Sequence, residues 1–125
     1  MSTAEDINIS VQTQFLPHMS DPAVQRYAFA YTVTIRNLGH DTVQLRNRFW
    51  QITNGNNDTQ EVSGSGVVGE EPILTPNADY TYTSGSVIDT PVGSMTGHYE
   101  FEGPNGILFK VPIPRFGLYH TNSLN

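Results

Sequence analysis

Apolar and polar residues alternate one by one along much of this sequence, most clearly between Tyr27 and Arg36. The apolar positions there are Tyr27, Phe29, Tyr31, Val33 and Ile35. A side-chain period of two places them on one face of a β-strand. Aromatic and β-branched side chains also suit a pleated sheet. No segment shows helical periodicity over three turns, so the sequence predicts an all-β fold.

The same period predicts seven short strands with turn signals between them. They cover residues 7–15, 27–36, 43–52, 59–62, 80–83, 95–101 and 107–113. Strands at this spacing are typical of a sandwich or barrel. We therefore predict a seven-stranded antiparallel β-sandwich, with Trp50 favoured as a core residue.

Three local features refine this prediction. A change of parity between Leu45 and Trp50 predicts a β-bulge near residues 47–49. Residues 84–93 have a loop-like composition. Pro112 and Pro114 place the last strand at a sheet edge, because proline cannot donate to a hydrogen-bond ladder.

Length, charge and cysteine content limit the class of protein. The 125 residues predict one domain, 1–125, with an ordered core over about 7–118 and a polar tail at 119–125. The absence of cysteine excludes disulfides and thiolate chemistry. No signal peptide and no membrane-length apolar run are seen, so a cytoplasmic protein without a membrane partner is expected. A net charge of −6 with one lysine, Lys110, disfavours nucleic acid as a partner.

A glycine string matches the spacing G-x-G-x-x-G. Its glycines are Gly64, Gly66 and Gly69. In dinucleotide sites such a string follows a buried strand and begins a helix, whose N-terminus holds a pyrophosphate. Here Glu70, Glu71 and Pro72 follow and oppose both the helix and the anion. A glycine-rich loop between strands is the favoured interpretation, and pyrophosphate or nucleotide binding through backbone N–H groups is the alternative.

His98, Glu100 and Glu102 are two residues apart and share the outer face of one predicted strand. A histidine with two carboxylates can hold Mg²⁺ or Co²⁺. Residues two apart lie about 6.5 Å from each other, so one ion would need further ligands. If Phe101 pairs with Phe109, Glu100 faces Lys110, and this charge pair accounts for Glu100 without a metal. We expect no cofactor, with a metal site as the alternative.

Arg46, Arg48 and Trp50 have the same parity in the third strand. On an exposed face they would form a protein-binding anchor, because Trp and Arg are enriched at interface hot spots. With Trp50 in the core, the arginines would instead bind loop carbonyls or acidic side chains. No catalytic signature such as G-x-S-x-G accompanies the serines, and no enzymatic activity is predicted.

Several stretches together resemble the ApaG family, also called CorD, of small bacterial proteins. They are residues 26–37, 43–53, 64–72, 82–85, 91–99 and 113–116, in the family's order and spacing. The resemblance extends over about residues 7–124. One position departs from it, because many relatives have histidine where this chain has Phe49, and phenylalanine cannot ligate a metal.

The resemblance implies a fibronectin type III-like or immunoglobulin-like sandwich. It also implies an interaction module, since similar domains occur in some F-box proteins and in a DNA-polymerase-delta-interacting protein. The bacterial form is linked to cobalt and magnesium tolerance, and its glycine string to pyrophosphate. The leading hypothesis is a non-enzymatic protein-binding domain connected with divalent-cation homeostasis. The alternative is a small-ligand site for phosphate or pyrophosphate at residues 64–72.

Overall fold

The computed structural model describes residues 4–120, which form two antiparallel β-sheets packed face to face. Short 3₁₀ helices lie at Ala4–Asp6, Pro17–Met19, Pro22–Val24 and Pro104–Gly106. The strands are β1 (Ile7–Phe15), β2 (Tyr27–Asn37), β3 (Val43–Asn54), β4 (Thr59–Ser65), β5 (Ile73–Leu74), β6 (Asp79–Ile88), β7 (Val92–Glu102) and β8 (Leu108–Tyr119). The predicted antiparallel sandwich is confirmed.

The strand number is eight rather than the predicted seven. One sheet has the order β1–β2–β6, and the other has the order β4–β3–β7–β8, with β5 paired to the start of β3. The additional strand is β5, whose two residues pair with Val43 and Gln44. The prediction of a loop over residues 84–93 was also wrong at both ends, because β6 stays in register with β2 as far as the Tyr27–Ile88 pair and β7 begins at Val92.

The core lies between the two inner faces. Phe29, Val33 and Ile35 of β2 are almost fully buried, which confirms the parity assigned to this strand. Trp50 is 3% exposed and makes edge-on contacts with Tyr31, Tyr99 and Phe116. The prediction that Trp50 belongs to the core is therefore confirmed.

Irregularities in the β3–β7–β8 ladder set the directions of several side chains. The predicted bulge in β3 exists, but its register shift lies between Leu45 and Asn47, so Arg46 is the extra residue. A second shift separates Met95 from Gly97 in the β7–β8 pairing. Because a bulge reverses parity, Arg46 does not share a face with Arg48 and Trp50.

The two sides of the sandwich differ. On one side β1 packs against β8, whose position at a sheet edge confirms the prediction from Pro112 and Pro114. On the other side β6 is the edge of the small sheet and β4 the edge of the large one. Tyr119, predicted as the start of the tail, is the last residue of β8, and the His120 ring contacts Phe15 and Tyr27. Residues 121–125 of the predicted tail lie outside the described residues.

Within residues 4–120, no helix has the length and apolar character needed to cross a membrane.

Candidate functional site

The open side of the sandwich, between β4 and β6, contains two cavities. We call this side the β4–β6 seam. One cavity, of about 190 Å³, lies between Tyr82 and Ser84 of β6, Arg48 and Trp50 of β3, and the turn at Val67–Gly69. We call it the Arg48 cavity.

The second cavity, of about 480 Å³, lies at the far end of β6. We call it the Ile88 cavity. Its apolar lining residues are Val24, Ile52, Val87 and Ile88, and its charged ones are Arg26, Asp58 and Asp89.

Arg48 points into the seam because of its register. It is opposite Tyr99 of β7, which is fully buried, and cross-strand partners share a face. Its other cross-strand neighbour is Gly64, where an added Cβ would lie 3.0 Å from the guanidinium, so the missing side chain leaves room for Arg48. Arg48 Nη1 donates to the carbonyl oxygens of Ser65 (2.8 Å) and Gly66 (3.0 Å). No carboxylate within residues 4–120 forms an ion pair with it.

Two buried tyrosines, one from each sheet, meet beneath the Arg48 cavity. The hydroxyls of Tyr82 and Tyr99 form a short hydrogen bond across the core. Burial raises the pKa of both phenols well above the ordinary value of 10.0, and the nearby Arg48 charge opposes this increase. Both side chains are therefore neutral at physiological pH.

The glycine string forms a strand end and a tight turn instead of a helix start. Val67 and Glu70 form a two-way backbone bridge, with N–H···O distances of 2.8 and 2.9 Å. Val68 and Gly69 between them both have positive φ, as a type I′ turn requires. Gly66 also has positive φ, and an added Cβ there would overlap the carbonyl oxygen of Glu70. The favoured interpretation, a loop between strands, agrees with this geometry.

Three backbone N–H groups of this segment are engaged, two within the turn and one with β3. Gly66 donates to Arg46, Val67 to Glu70 and Glu70 to Val67. The predicted anion site made of backbone N–H groups alone is therefore not present at these three residues. The positive charge beside the turn comes from Arg48, which the sequence pattern groups with Arg46 and Trp50 instead of with the glycine string.

Arg46 fastens the end of the glycine-rich segment to the large sheet. It forms ion pairs of 3.1 Å with Glu71 and with Glu102 of β7, and it is about 40% exposed. The proposed exposed anchor of Arg46, Arg48 and Trp50 is wrong, since Trp50 is buried and Arg46 lies on another face. Its alternative, arginines bound to carbonyls and acidic side chains, describes both arginines.

Replacing Arg46 with alanine should loosen the segment at residues 64–71 without unfolding the domain. Exposed ion pairs contribute less than about 1 kcal/mol, so global stability changes little. Amide exchange in this segment should become faster, as measured by hydrogen–deuterium exchange with mass spectrometry. Arg36→Ala, which changes the same charge on the outer face of the small sheet, should have no such effect. Unchanged exchange at 64–71 in the Arg46 variant would contradict the anchoring role.

The predicted metal ligands His98, Glu100 and Glu102 are not brought together. The His98 ring stacks on Phe49, at a centroid distance of 5.1 Å, and Glu100 accepts a 2.8 Å hydrogen bond from Asn47. Glu102 pairs with Arg46. Within residues 4–120, no group of three or more His, Asp or Glu side chains is placed to hold a metal ion. The predicted cross-strand pairing is confirmed, since Phe101 faces Phe109 and Glu100 faces Lys110.

Sequence reasoning missed Ser84 and Ser86 of β6, which line the seam or lie next to it. Ser86 is opposite Phe29 on the inner face and is 8% exposed, and its hydroxyl has no hydrogen-bond partner among the described residues. The alternation of Tyr80, Tyr82, Ser84 and Ser86 indicates that the strand continues to residue 86. In the sequence analysis the small polar residues are interpreted as a loop instead.

The fold and the seam together define a two-sheet β-sandwich domain in which β1 packs against β8 on one side and two cavities lie between β4 and β6 on the other. A family model for the ApaG domain matches residues 17–103. The chain is 50% identical over 118 residues to Protein ApaG of Escherichia coli strain K12 / DH10B and of Shigella boydii serotype 18, covering 94% of this chain and of each relative.

Solved structures give the same result. A crystal structure described as an ApaA protein from Bordetella pertussis superposes with a TM-score of 0.90 at 46% identity, covering 93% of this chain and 94% of that one. An X-ray structure of a structural-genomics target superposes with a TM-score of 0.88 at 43% identity, covering 93% and 88%. The chain therefore belongs to the ApaG family.

Proposed function

We propose that this ApaG-family chain is a non-enzymatic module of the cytoplasm that binds a protein partner through the β4–β6 seam. The observation that carries the proposal is the contrast between the two sides of the sandwich. On the β1–β8 side, β1 packs against β8, and Pro112 and Pro114 of β8 line a cavity of about 350 Å³; on the other side, the outer edge of β6 is free beside two cavities. An unprotected strand edge is a template for another chain.

The conspicuous side chains support a binding role over a catalytic one. Arg46 and Glu102 form an ion pair, the His98 ring stacks on Phe49, and the Tyr82–Tyr99 pair is neutral and buried. A connection with divalent-cation homeostasis would then act through the partner, because His98, Glu100 and Glu102 each contact a different group.

The proposal is tested by purifying partners on the full chain from a native lysate and rebuilding the complex from purified components. The expected result is a reproducible complex of defined stoichiometry between the chain and one partner. If no partner survives reconstitution, the chain is not a protein-binding module.

A second candidate function is supported by Arg48. Arg48 lines a cavity together with Ser84 and the turn at Gly69, and no carboxylate pairs with its guanidinium within residues 4–120. A guanidinium offers phosphate oxygens a bidentate contact, so the cavity suits a small phosphate or pyrophosphate anion.

Calorimetric titration with pyrophosphate tests this second candidate. We expect measurable binding that weakens by about tenfold to a hundredfold in Arg48→Gln, since a hydrogen bond to a charged group is worth about 1.5–3 kcal/mol. Arg36→Gln should bind pyrophosphate like the parent chain. Absence of heat with the parent chain, or equal losses in both variants, would rule out the anion site.

A further inference from the structure

We propose that the partner adds an extended segment to the free edge of β6, with a carboxylate at the Arg48 cavity and an apolar side chain four residues away in the Ile88 cavity. This inference rests on the proposed protein-binding function and specifies its surface and its ligand.

The composition of β6 sets it apart from the edge strand β8, and its position sets it apart from the edge strands β1 and β4, which also lack proline, lysine and arginine. Of the three strands β1, β4 and β6, β6 is the one that lines both the Arg48 cavity and the Ile88 cavity. Its sequence, Asp79 to Ile88, contains no proline, lysine or arginine, and it pairs with β2 on one side only. By contrast, β8 carries Pro112 and Pro114 together with Lys110 and Arg115. Proline and positive charge are the usual devices that keep strand edges from pairing, and β6 lacks both. An undefended edge of ten residues is suited to β-strand addition.

The inner-facing row of β6 matches the spacing of an added strand. Ser84 lines the Arg48 cavity, Ile88 lines the Ile88 cavity, and Ser86 lies between them. Side chains on one face of a strand recur every two residues, about 6.5 Å apart, so the two cavities correspond to positions i and i+4. This spacing is the same whether the added strand runs parallel or antiparallel to β6.

Ser86 indicates which type of residue the added strand should have at position i+2, between the two cavities. Its hydroxyl is buried and has no hydrogen-bond partner among the described residues. A buried hydroxyl without a partner is costly, and a polar side chain at position i+2 of an added strand would supply one. We therefore assign a small polar residue, such as serine, threonine or asparagine, to position i+2.

The positive charge of the Arg48 cavity determines which residue of the added strand lies there. It also argues against a second copy of this chain as the partner. Arg48 has no carboxylate partner within residues 4–120, so an acidic side chain completes the cavity. The inward-facing residues of another β6 would be Tyr80, Tyr82, Ser84, Ser86 and Ile88. None of them carries a negative charge at neutral pH. A β6-to-β6 dimer would therefore leave Arg48 without a counter-charge.

The probe for this inference is a random peptide library displayed on phage and selected against the immobilised full chain. The expected enrichment is an acidic residue, a small polar residue and an apolar residue at alternate positions, in either order. Failure to enrich any sequence, or enrichment without this pattern, would overturn the inference.

The strongest peptide is then synthesised with single N-methyl groups along its backbone. Methylation of an amide that bonds to β6 should lower affinity about tenfold, and methylation of its neighbour, whose N–H points away, should have little effect. In hydrogen–deuterium exchange, alternate amides of β6 should gain protection while those of β8 do not. A uniform response to methylation, or protection outside β6, would contradict strand addition.

A double-mutant cycle tests the charge contact separately from any structural role of Arg48. Changing the acidic peptide residue to its amide should weaken binding to the parent chain and to Arg36→Gln, but not to Arg48→Gln. Equal losses in all three proteins would remove Arg48 from the contact. Self-association of the chain that is abolished by the peptide would instead assign β6 to a second copy.

The two proposals fail in different ways. If a reconstituted partner protects residues other than β6, the protein-binding function stands and strand addition at the seam is refuted. If neither a partner nor any peptide binds, both are refuted.

Discussion

Replacing Gly97 with alanine should lower the free energy of unfolding by about 3 kcal/mol, the upper end of the loss seen when a core is overpacked. Gly97 lies in β7 opposite Trp50, next to the register shift after Met95. A Cβ at this position would overlap the carbonyl oxygen of Phe49 in β3. The methyl group can be accommodated only if β3 and β7 separate, which weakens their hydrogen bonds at the centre of the large sheet.

Gly85→Ala is the matched control for Gly97→Ala. Gly85 also lies inside a strand, but the nearest atom to an added Cβ is the Phe29 carbonyl oxygen at 3.5 Å, an ordinary contact distance. Because alanine restricts the unfolded chain, this variant should be unchanged or more stable by up to about 1 kcal/mol. Urea unfolding of both variants provides the measurement. Equal stabilities would show that β3 and β7 are not in close contact at Gly97.

Alkaline pH should destabilise the domain through the Tyr82–Tyr99 pair. Burial raises the pKa of both phenols above the ordinary value of 10.0, so the unfolded chain loses these protons first. The stabilisation from the neutral pair is complete below pH 10 and is lost as the pH rises through the raised folded-state pKa values. The pair should remove roughly 2 to 3 kcal/mol per pH unit above pH 10, because each group contributes about 1.4 kcal/mol per unit.

The Tyr82→Phe/Tyr99→Phe double variant separates this effect from general alkaline denaturation. Removing both hydroxyls leaves no unpaired buried group, so the variant should fold at neutral pH and show a much flatter stability profile above pH 10. Tyr119→Phe, which changes an exposed phenol, should behave like the parent chain. Urea unfolding at a series of alkaline pH values gives the comparison. A profile for the double variant as steep as that of the parent would contradict the assignment.

Local pattern was sufficient to predict the strands with strong propensity on both faces. Tyr27 to Arg36 is rich in aromatic and β-branched residues, and its inner and outer faces were assigned correctly. The cross-strand pairing of Glu100 with Lys110 also followed, because matching Phe101 with Phe109 fixes the register.

Features that depend on a distant partner could not be predicted in the same way. Ser84, Gly85 and Ser86 have little intrinsic strand propensity, and they are part of a strand because β2 supplies their hydrogen bonds. Strand β5 exists only as the partner of Val43 and Gln44. Parity placed Arg48 with Trp50 correctly but also grouped Arg46 with them, since the position of a bulge within a few residues is not visible in alternation.

The seam was the least predictable feature. It depends on which two strand edges come to lie on the same side of the sandwich, and the glycine string drew attention to its own spacing instead. In the structure each of its glycines has a steric role, as Gly64 makes room for Arg48 and Gly66 and Gly69 adopt positive φ. These roles explain the string without any nucleotide.

The packing of β1 against β8 has a consequence for how this domain can be joined to others. Ala4–Asp6 contacts β8, and the His120 ring lies against Phe15 at the end of β1 and Tyr27 at the start of β2. Neither the Ala4–Asp6 helix nor His120 lines either of the two cavities beside β6. A fusion that joins this domain to another through residues 4 and 120 therefore starts from positions outside the proposed binding surface.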